Sequence, residues 1–235
     1  MNLVLLLPED LVAEDRARLR GRRLQHVREV HRARVGEDLT VGLLGGAMGR
    51  GRVLRLDDEV LELALSLDQA PPPKLPLTLV IAVPRPKVLH RVVAAAASLG
   101  VARIVLLNAW KVEKAYWSSP RMQPERLAEQ LILGLEQARD TVLPELRLAR
   151  LFRPFVEDEL PGLLAGGTGL LAHPGIGGAV PPVQVAPLTL ALGPEGGWIE
   201  AEVQSLLRAG LQPLDLGPRI LRTETALAAL VGKLF

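Results

Sequence analysis

No cysteine occurs anywhere in the 235 residues. Disulfides, thiolate nucleophiles and sulfur-ligated metal sites are therefore excluded, as expected of a protein kept in the reducing cytoplasm. Histidine is nearly as scarce, with four copies at His26, His31, His90 and His173. None has the spacing of an H-E-x-x-H helix, so no metal is expected. Long apolar runs are missing too: no window approaches the roughly 20 residues that a spanning helix needs. The opening "MNLVLLLPED" has no basic leader and too short an apolar stretch for a secretion signal, and it reads as a first strand. Nor is there a phosphate loop of the G-x-x-x-x-G-K-[ST] kind. The nearest approach to G-x-G-x-x-G is "GIGGAV" from Gly175, which runs into two prolines and opens no helix, so a dinucleotide fold is not expected. A cytoplasmic protein without membrane or metal partners follows from these absences.

What is present is an ordinary globular composition, 49 % hydrophobic and 23 % charged. The net charge is only +2, but arginine outnumbers lysine by 23 to 5. Eight arginines fall in "RARLRGRRLQHVREVHRAR": Arg16, Arg18, Arg20, Arg22, Arg23, Arg28, Arg32 and Arg34, against the single Glu29. Charge density alone leaves two readings open, a solvated surface and a nucleic-acid contact. Arginine suits the second because its planar fork matches phosphate. A GC-rich or thermophilic source would also raise the arginine content.

Three consecutive prolines in "DQAPPPKLP" make a stiff spacer that continues neither a helix nor a central strand. Before it, "DLTVGLLGG", "GRVLRLDD" and "VLELALSLD" are short alternating runs, so residues 1–70 are expected to form a small β-rich domain, and the arginine stretch ahead of these runs is expected to include a short helix or loop on its surface. Over residues 71–235 strand-like and helix-like segments alternate: "LTLVIAV", "KVLHRVVAAAASLG", "RIVLLN", "PERLAEQLILGLEQAR", "GLLAHP", "LTLALGPEGG", "IEAEVQSLLRAG", "PLDLGP" and "TETALAALVGKLF". That rhythm predicts an open, mostly parallel α/β sheet, with "HPGIGGAVPPVQVAP" as a loop.

Ligands of such sheets lie outside the carboxyl ends of the strands. Three ends here have unusual residues: "LLAHPGIGG", "LALGPEGGWIE" and "LDLGPRILRTET". Glycine allows a close backbone approach and proline fixes each turn. The "GPEGG" loop, which offers mainly main-chain polar groups and one carboxylate, Glu195, but no lysine, is either a tight structural turn or a loop that suits an adenosine edge better than a polyphosphate. Spacing leaves open whether Glu195 meets the ligand, a neighbouring loop or a partner subunit. Thr223 is expected to cap the last helix with Glu224 in its first turn, and Arg219 and Arg222 are either surface charges or holders of a phosphate or a polar base.

These phrases, "LAHP", "GPEGGWIEAEV" and "LGPRILRTETA" in that order, with "SLGV", "EQAR" and "HVREVHRARVGEDLTVGLLGG" upstream, resemble the RsmE-type 16S ribosomal RNA (uracil-N3) methyltransferases of the SPOUT superfamily. The resemblance spans nearly the whole chain. It implies a PUA-like β-barrel RNA-binding domain over 1–70, and a SPOUT α/β domain over 71–235 with a C-terminal trefoil knot. A homodimer, S-adenosyl-L-methionine as methyl donor and 16S ribosomal RNA or the small subunit as partner are implied as well. Carried over by motif, the cofactor residues are Leu171 and His173; Leu192, Gly193, Pro194, Glu195, Gly196 and Gly197; and Leu216, Gly217, Ile220, Leu221, Arg222, Thr223, Thr225 and Ala226. The sequence departs from the family at Ser98, where glutamate is expected, and at Gly45-Gly46, where the barrel turn is Asp-Gly.

N3 of uracil must lose a proton as it gains the methyl group, so positive charge near O2 and O4 would stabilise the transition state. Arg222 is the first candidate for that role and Arg219 the second. Glu224 is the candidate base, although an ordinary carboxylate is poorly matched to an imide proton.

Overall fold

The computed structural model describes residues 2–179, 181 and 187–235. Part of the loop expected over "HPGIGGAVPPVQVAP", at 180 and 182–186, lies outside the described residues. The chain divides into two compact units, one of Met1–Pro73 with Ile132–Leu143 and the other of Lys74–Leu131 with Pro144–Phe235.

The first unit contains β1 (Val4–Leu6), β2 (Leu11–Ala13), β3 (Arg16–Leu19), α1 (Gly21–His26), β4 (Asp38–Leu43), β5 (Met48–Leu56) and β6 (Leu61–Gln69). Its strands form one sheet in the order β1-β4-β5-β6-β3-β2, in which β1 and β4 run parallel and the other pairs antiparallel. The alternation read in the sequence is the cause: in β5 Gly49, Gly51 and Val53 are buried while Arg50 and Arg52 face solvent. Leu6, Leu19, Val41, Leu61 and Leu63 make the core together with Leu24 of α1.

The arginine stretch includes the short helix expected of it and, ahead of that helix, a strand that was not expected. Residues 16–19 form a strand between β6 and β2, because Ala17 and Leu19 point inward at period two while Arg16 and Arg18 point out. The density of charge hides that alternation. Only from Gly21 does the chain turn helical, passing from α1 into a π-helical turn at Val27–His31 that ends on left-handed Arg32.

Residues 132–143 complete this unit. Leu135 packs against Leu3 and Leu5, and the carboxylate of buried Glu136, the first residue of "EQAR", accepts two hydrogen bonds from the Arg22 guanidinium at 3.0 and 3.1 Å. Gly45 takes a φ of +72° in the turn after β4, a conformation that favours glycine and asparagine. Its N–H donates to the Thr141 carbonyl, and the Thr141 hydroxyl donates to that of Gly46.

The second unit follows the expected alternation. It comprises β7 (Leu75–Ala82), α2 (Pro86–Ser98), β8 (Val101–Leu107), α3 (Lys114–Trp117), the start of α4 (Pro124–Ala138), β9 (Glu145–Ala149), α5 (Phe152–Pro154), α6 (Leu160–Leu164), β10 (Thr168–Ala172), β11 (Leu188–Leu192), α7 (Glu200–Arg208), β12 (Gln212–Leu214) and α8 (Thr223–Leu234). All six strands are parallel, in the order β12-β10-β11-β7-β8-β9. The central strands are near-continuous apolar runs, as burial on both faces requires. α2 and α8 pack together; α2 buries a stripe of Leu89, Val92, Val93, Ala96 and Ala97, and α8 one of Leu227, Leu230, Val231 and Leu234. Pro86 opens α2, and Gly100, at φ +76°, follows its end. Ser98 donates its hydroxyl to the Ala94 carbonyl one turn back.

Candidate active site

Strand register brings the three unusual strand ends together. Ala172 pairs with Leu192 on one side and Leu214 on the other, so the loops beginning at His173, Gly193 and Asp215 leave the sheet at one level. They surround a cavity of about 650 Å³. The first loop supplies His173 and Pro174, the second residues 193–197, and the third Asp215, Leu216, Gly217 and residues 219–224. Leu192, Ala226 and Leu230 line it from strand and helix, and Arg85, Val88 and Arg91 close it from the start of α2. Of the residues expected here, Leu171 lies buried inside β10 and Thr225 is exposed on α8; neither is in the wall.

Each loop is held by a charged side chain. The Asp215 carboxylate accepts the N–H groups of Gly175 and Gly217, both at 2.9 Å, and so joins the first loop to the third. Glu195 accepts the Arg85 N–H at 2.9 Å, which places its carboxylate against the entry of α2. Lys111 donates its ammonium to the Gly196 carbonyl at 2.6 Å. Gly178 has a φ of +88°, and a Cβ there would lie 2.1 Å from the Pro213 carbonyl oxygen. "GIGG" therefore serves close packing of the first loop on β12.

Helix α8 starts one residue from where a threonine cap was expected. Arg222, with extended backbone and no capping hydrogen bond from its side chain, occupies the N-cap, and Thr223 is the buried first residue of the helix. The cause is backbone geometry: the extended φ and ψ fall on Arg222, one position early for the threonine hydroxyl. Glu224 forms an ion pair with Arg91 at 3.2 Å. Among the described residues no carboxylate pairs with Arg219 or Arg222, although both line the cavity. Among the described residues, His173 Nδ1 is buried without a hydrogen-bond partner.

Asp215, Arg85, Val88 and Arg91 were missed by sequence reasoning. Asp215 had a signal, its place inside "LDLGP" beside two glycine loops. The α2 residues had none, because only the fold carries a segment more than a hundred positions upstream to this crevice.

The eight N-terminal arginines divide. Arg18 pairs with Glu62, Arg22 with Glu136, Arg23 with Asp10 and Arg28 with Asp58. The Arg23 pair is largely enclosed, with side-chain exposures of 16 % and 8 %. Arg16, Arg20, Arg32 and Arg34 are exposed and, among the described residues, form no ion pair.

A crevice built of glycine-bearing loops at the carboxyl ends of a parallel sheet marks an α/β domain that binds a small organic ligand. A family model described as an RNA methyltransferase domain matches residues 71–234, and the chain belongs to that family. Its relatives include Ribosomal RNA small subunit methyltransferase E of Treponema pallidum, 30 % identical over 239 residues that cover 97 % of this chain and 88 % of the relative. Among solved structures, a Legionella pneumophila protein assigned as a methyltransferase, in complex with bound SAM, is 26 % identical with a TM-score of 0.74 and coverage of 99 % and 96 %. Ribosomal RNA small subunit methyltransferase E of Neisseria gonorrhoeae, bound to S-adenosyl methionine, shares the fold at a TM-score of 0.77, with 24 % identity and coverage of 99 % and 95 %.

Proposed function

We propose that the protein methylates N3 of a uridine in 16S ribosomal RNA of the small subunit, with S-adenosylmethionine as donor. The observation that carries this reading is the cavity of about 650 Å³ at three glycine-bearing strand ends, with Arg219 and Arg222 in its wall. Its size is in the range of small-molecule sites. The donor set fits the cofactor: leucine, isoleucine and alanine side chains offer an apolar bed, the glycines expose main-chain polar groups, and His173 brings a buried nitrogen without a partner. A ligand without phosphate needs no lysine in these loops. His173, residues 192–197, Leu216, Gly217, residues 220–223 and Ala226 would hold it. Bound there, S-adenosylmethionine supplies an electrophilic methyl group.

The remaining chemistry belongs to the chain. Arg222, with Arg219 beside it in the wall, stabilises the negative charge that O2 and O4 of uracil acquire as N3 loses its proton. Glu224 is the candidate acceptor of that proton, and its ion pair with Arg91 sets where the carboxylate stands. Glu195 and Asp215 act as positioning residues, holding the loops so that the reacting atoms are aligned.

In this reading the first unit, with the mixed six-stranded sheet, is a PUA-like β-barrel that grips RNA through the unpaired arginines. The second is a SPOUT domain whose last segment is threaded as a trefoil knot; support comes from β10 lying between β11 and β12 and from the tight contact of Gly178 with Pro213. Ile220 and Leu221, adjacent in the cavity wall and 83 % and 37 % exposed, form an apolar edge that supports a homodimer covering it. No helix among the described residues is long and apolar enough to cross a membrane. In this reading the protein works in the cytoplasm, where its substrate, the small ribosomal subunit, is found. The test is to incubate the purified protein with small-subunit RNA and methyl-labelled S-adenosylmethionine and to analyse the nucleosides by mass spectrometry. Labelled 3-methyluridine is expected; labelled 2′-O-methylated or guanine nucleosides in its place would overturn the assignment.

A further inference from the structure

A second hollow, of about 1060 Å³, opens on the methyltransferase unit at the carboxyl ends of β8 and β9, beside the three loops of the first cavity. The turn after β8, α3, the segment after β9 and α7 form its wall. Two tryptophans and four cations face it: Trp110, Trp117, Lys114, Arg150, Arg153 and Arg208. Only two carboxylates accompany them, and both are engaged. Glu157 pairs with Arg153 at 2.7 Å, while buried Glu202 accepts the N–H groups of Trp110 at 2.7 Å and Ile199 at 3.0 Å. Among the described residues no carboxylate pairs with Lys114, Arg150 or Arg208, so the hollow is electropositive.

Its aromatic groups are set for stacking. Arg150 lies over the Trp117 ring, 5.1 Å from the centroid, and the Trp117 indole N–H donates to Asn108 at 2.8 Å. Trp110 is 80 % exposed, yet its backbone is held by Glu202 and by its neighbour Lys111, which donates to Gly196 in the wall of the first cavity. An indole on a pinned turn loses little conformational freedom on binding. A flat aromatic surface beside unpaired cations matches a nucleotide, whose base offers a π face and whose phosphate offers the opposite charge.

We infer that this hollow holds a second, unmodified nucleotide of the RNA substrate, with its base stacked on Trp110 and its phosphate near Lys114 and Arg150. The inference rests on the reading that the substrate is RNA. It is tested on the full chain with a fluorescein-labelled single-stranded oligouridylate as binding probe, and with small-subunit RNA in methylation kinetics. Trp110→Ala is expected to weaken oligouridylate binding about tenfold, within the range known for one base–aromatic stack. The same change raises KM for RNA while kcat and the dissociation constant of S-adenosylmethionine stay as in the wild type. Trp110→Phe restores most of the binding, and Arg150→Gln flattens its salt dependence by about 0.7 in log–log slope. Oligouridylate binding by Trp110→Ala equal to wild type, or no binding by the wild type, overturns the inference. So does a shift of Trp110→Ala from dimer to monomer in sedimentation, which would make the hollow a contact between copies. If the wild type forms no 3-methyluridine, the assigned reaction fails while the oligouridylate measurements still decide the hollow.

Discussion

Two sets of arginines differ in a way their spacing in the chain does not show. The crowded set, residues 16–34, has one glutamate in the segment, yet Asp10, Asp58, Glu62 and Glu136 reach it from elsewhere in the fold and pair with half its members. The sparse set, Arg219 and Arg222, stands in a cavity wall and has no carboxylate partner among the described residues. Local charge density therefore overstates the first set and understates the second. What decides whether a guanidinium can meet a ligand is the long-range pairing that folding imposes.

The largest effect is expected where the sparse set meets the chemistry. Arg222→Ala should lower kcat by about 10² to 10³, the usual loss when one donor to a developing anion is removed. The fall should persist at saturating S-adenosylmethionine, whose binding, measured by calorimetry, should weaken less than kcat falls, because Arg222 is one of many wall residues for the donor. Full turnover in this variant would remove Arg222 from the reaction.

Next comes Arg23→Ala in the crowded set. It leaves Asp10 enclosed without its partner and should cost about 3 kcal/mol of folding stability, as for other broken buried pairs. The same change at exposed Arg20 should leave the urea midpoint unmoved. Equal destabilisation by both would erase the distinction between paired and unpaired members. Asp215→Ala should follow in size, because its carboxylate ties two cavity loops through two N–H groups. Both bonds are exposed to solvent, so each contributes only about 1 kcal/mol to folding, and the loss falls on loop position. Their loss should appear as at least about tenfold weaker S-adenosylmethionine binding with the thermal midpoint only slightly lowered; unchanged affinity would show that the loops keep their positions without them.

These contrasts also mark what could be read before folding. The parallel sheet, and the three glycine-bearing loops at its strand ends, were legible because apolar strand runs alternate with amphipathic helices and because glycine and proline punctuate the strand ends. β3 was not, since four residues of alternating Arg and apolar side chain look like part of a charge run. β9 and the helical turns near Phe152 were missed because each is too short for its periodicity to stand out. The contribution of α2 to the cavity, and the return of residues 132–143 to the first unit, are tertiary facts without a local signal. Glu195 shows the limit clearly: its motif was plain, but only the position of α2 reveals that its carboxylate accepts the Arg85 N–H.

The unpaired members of the crowded set give the next prediction. If Arg16, Arg20, Arg32 and Arg34 contact phosphates, replacing each by alanine should lower the log–log salt slope of RNA binding by about 0.7 to 0.9 per contact. Replacing paired Arg18 should leave the slope unchanged. A slope insensitive to the four unpaired residues would end their role in RNA binding.

The smallest expected effect concerns the histidine within the same segment. His26 closes α1, its ring meets that of His31 edge-on with centroids 5.1 Å apart, and its Nε2 is buried without a partner. Burial first, then the positive neighbours His31 and Arg22, lowers its pKa below the ordinary 6.5. A group whose protonation is disfavoured by folding binds its proton first in the unfolded chain. Stability contributed by neutral His26 is therefore intact above pH about 6.5 and drains away as the pH falls below that value, until the folded protein also takes up the proton. Urea midpoints measured from pH about 7.5 down to about 5.5 should fall in the wild type, and fall less in His26→Asn, which cannot titrate there. A wild-type profile that the substitution leaves unchanged would mean that other groups set the acid limit, and that the cations around His26 are screened well enough to leave its proton affinity alone.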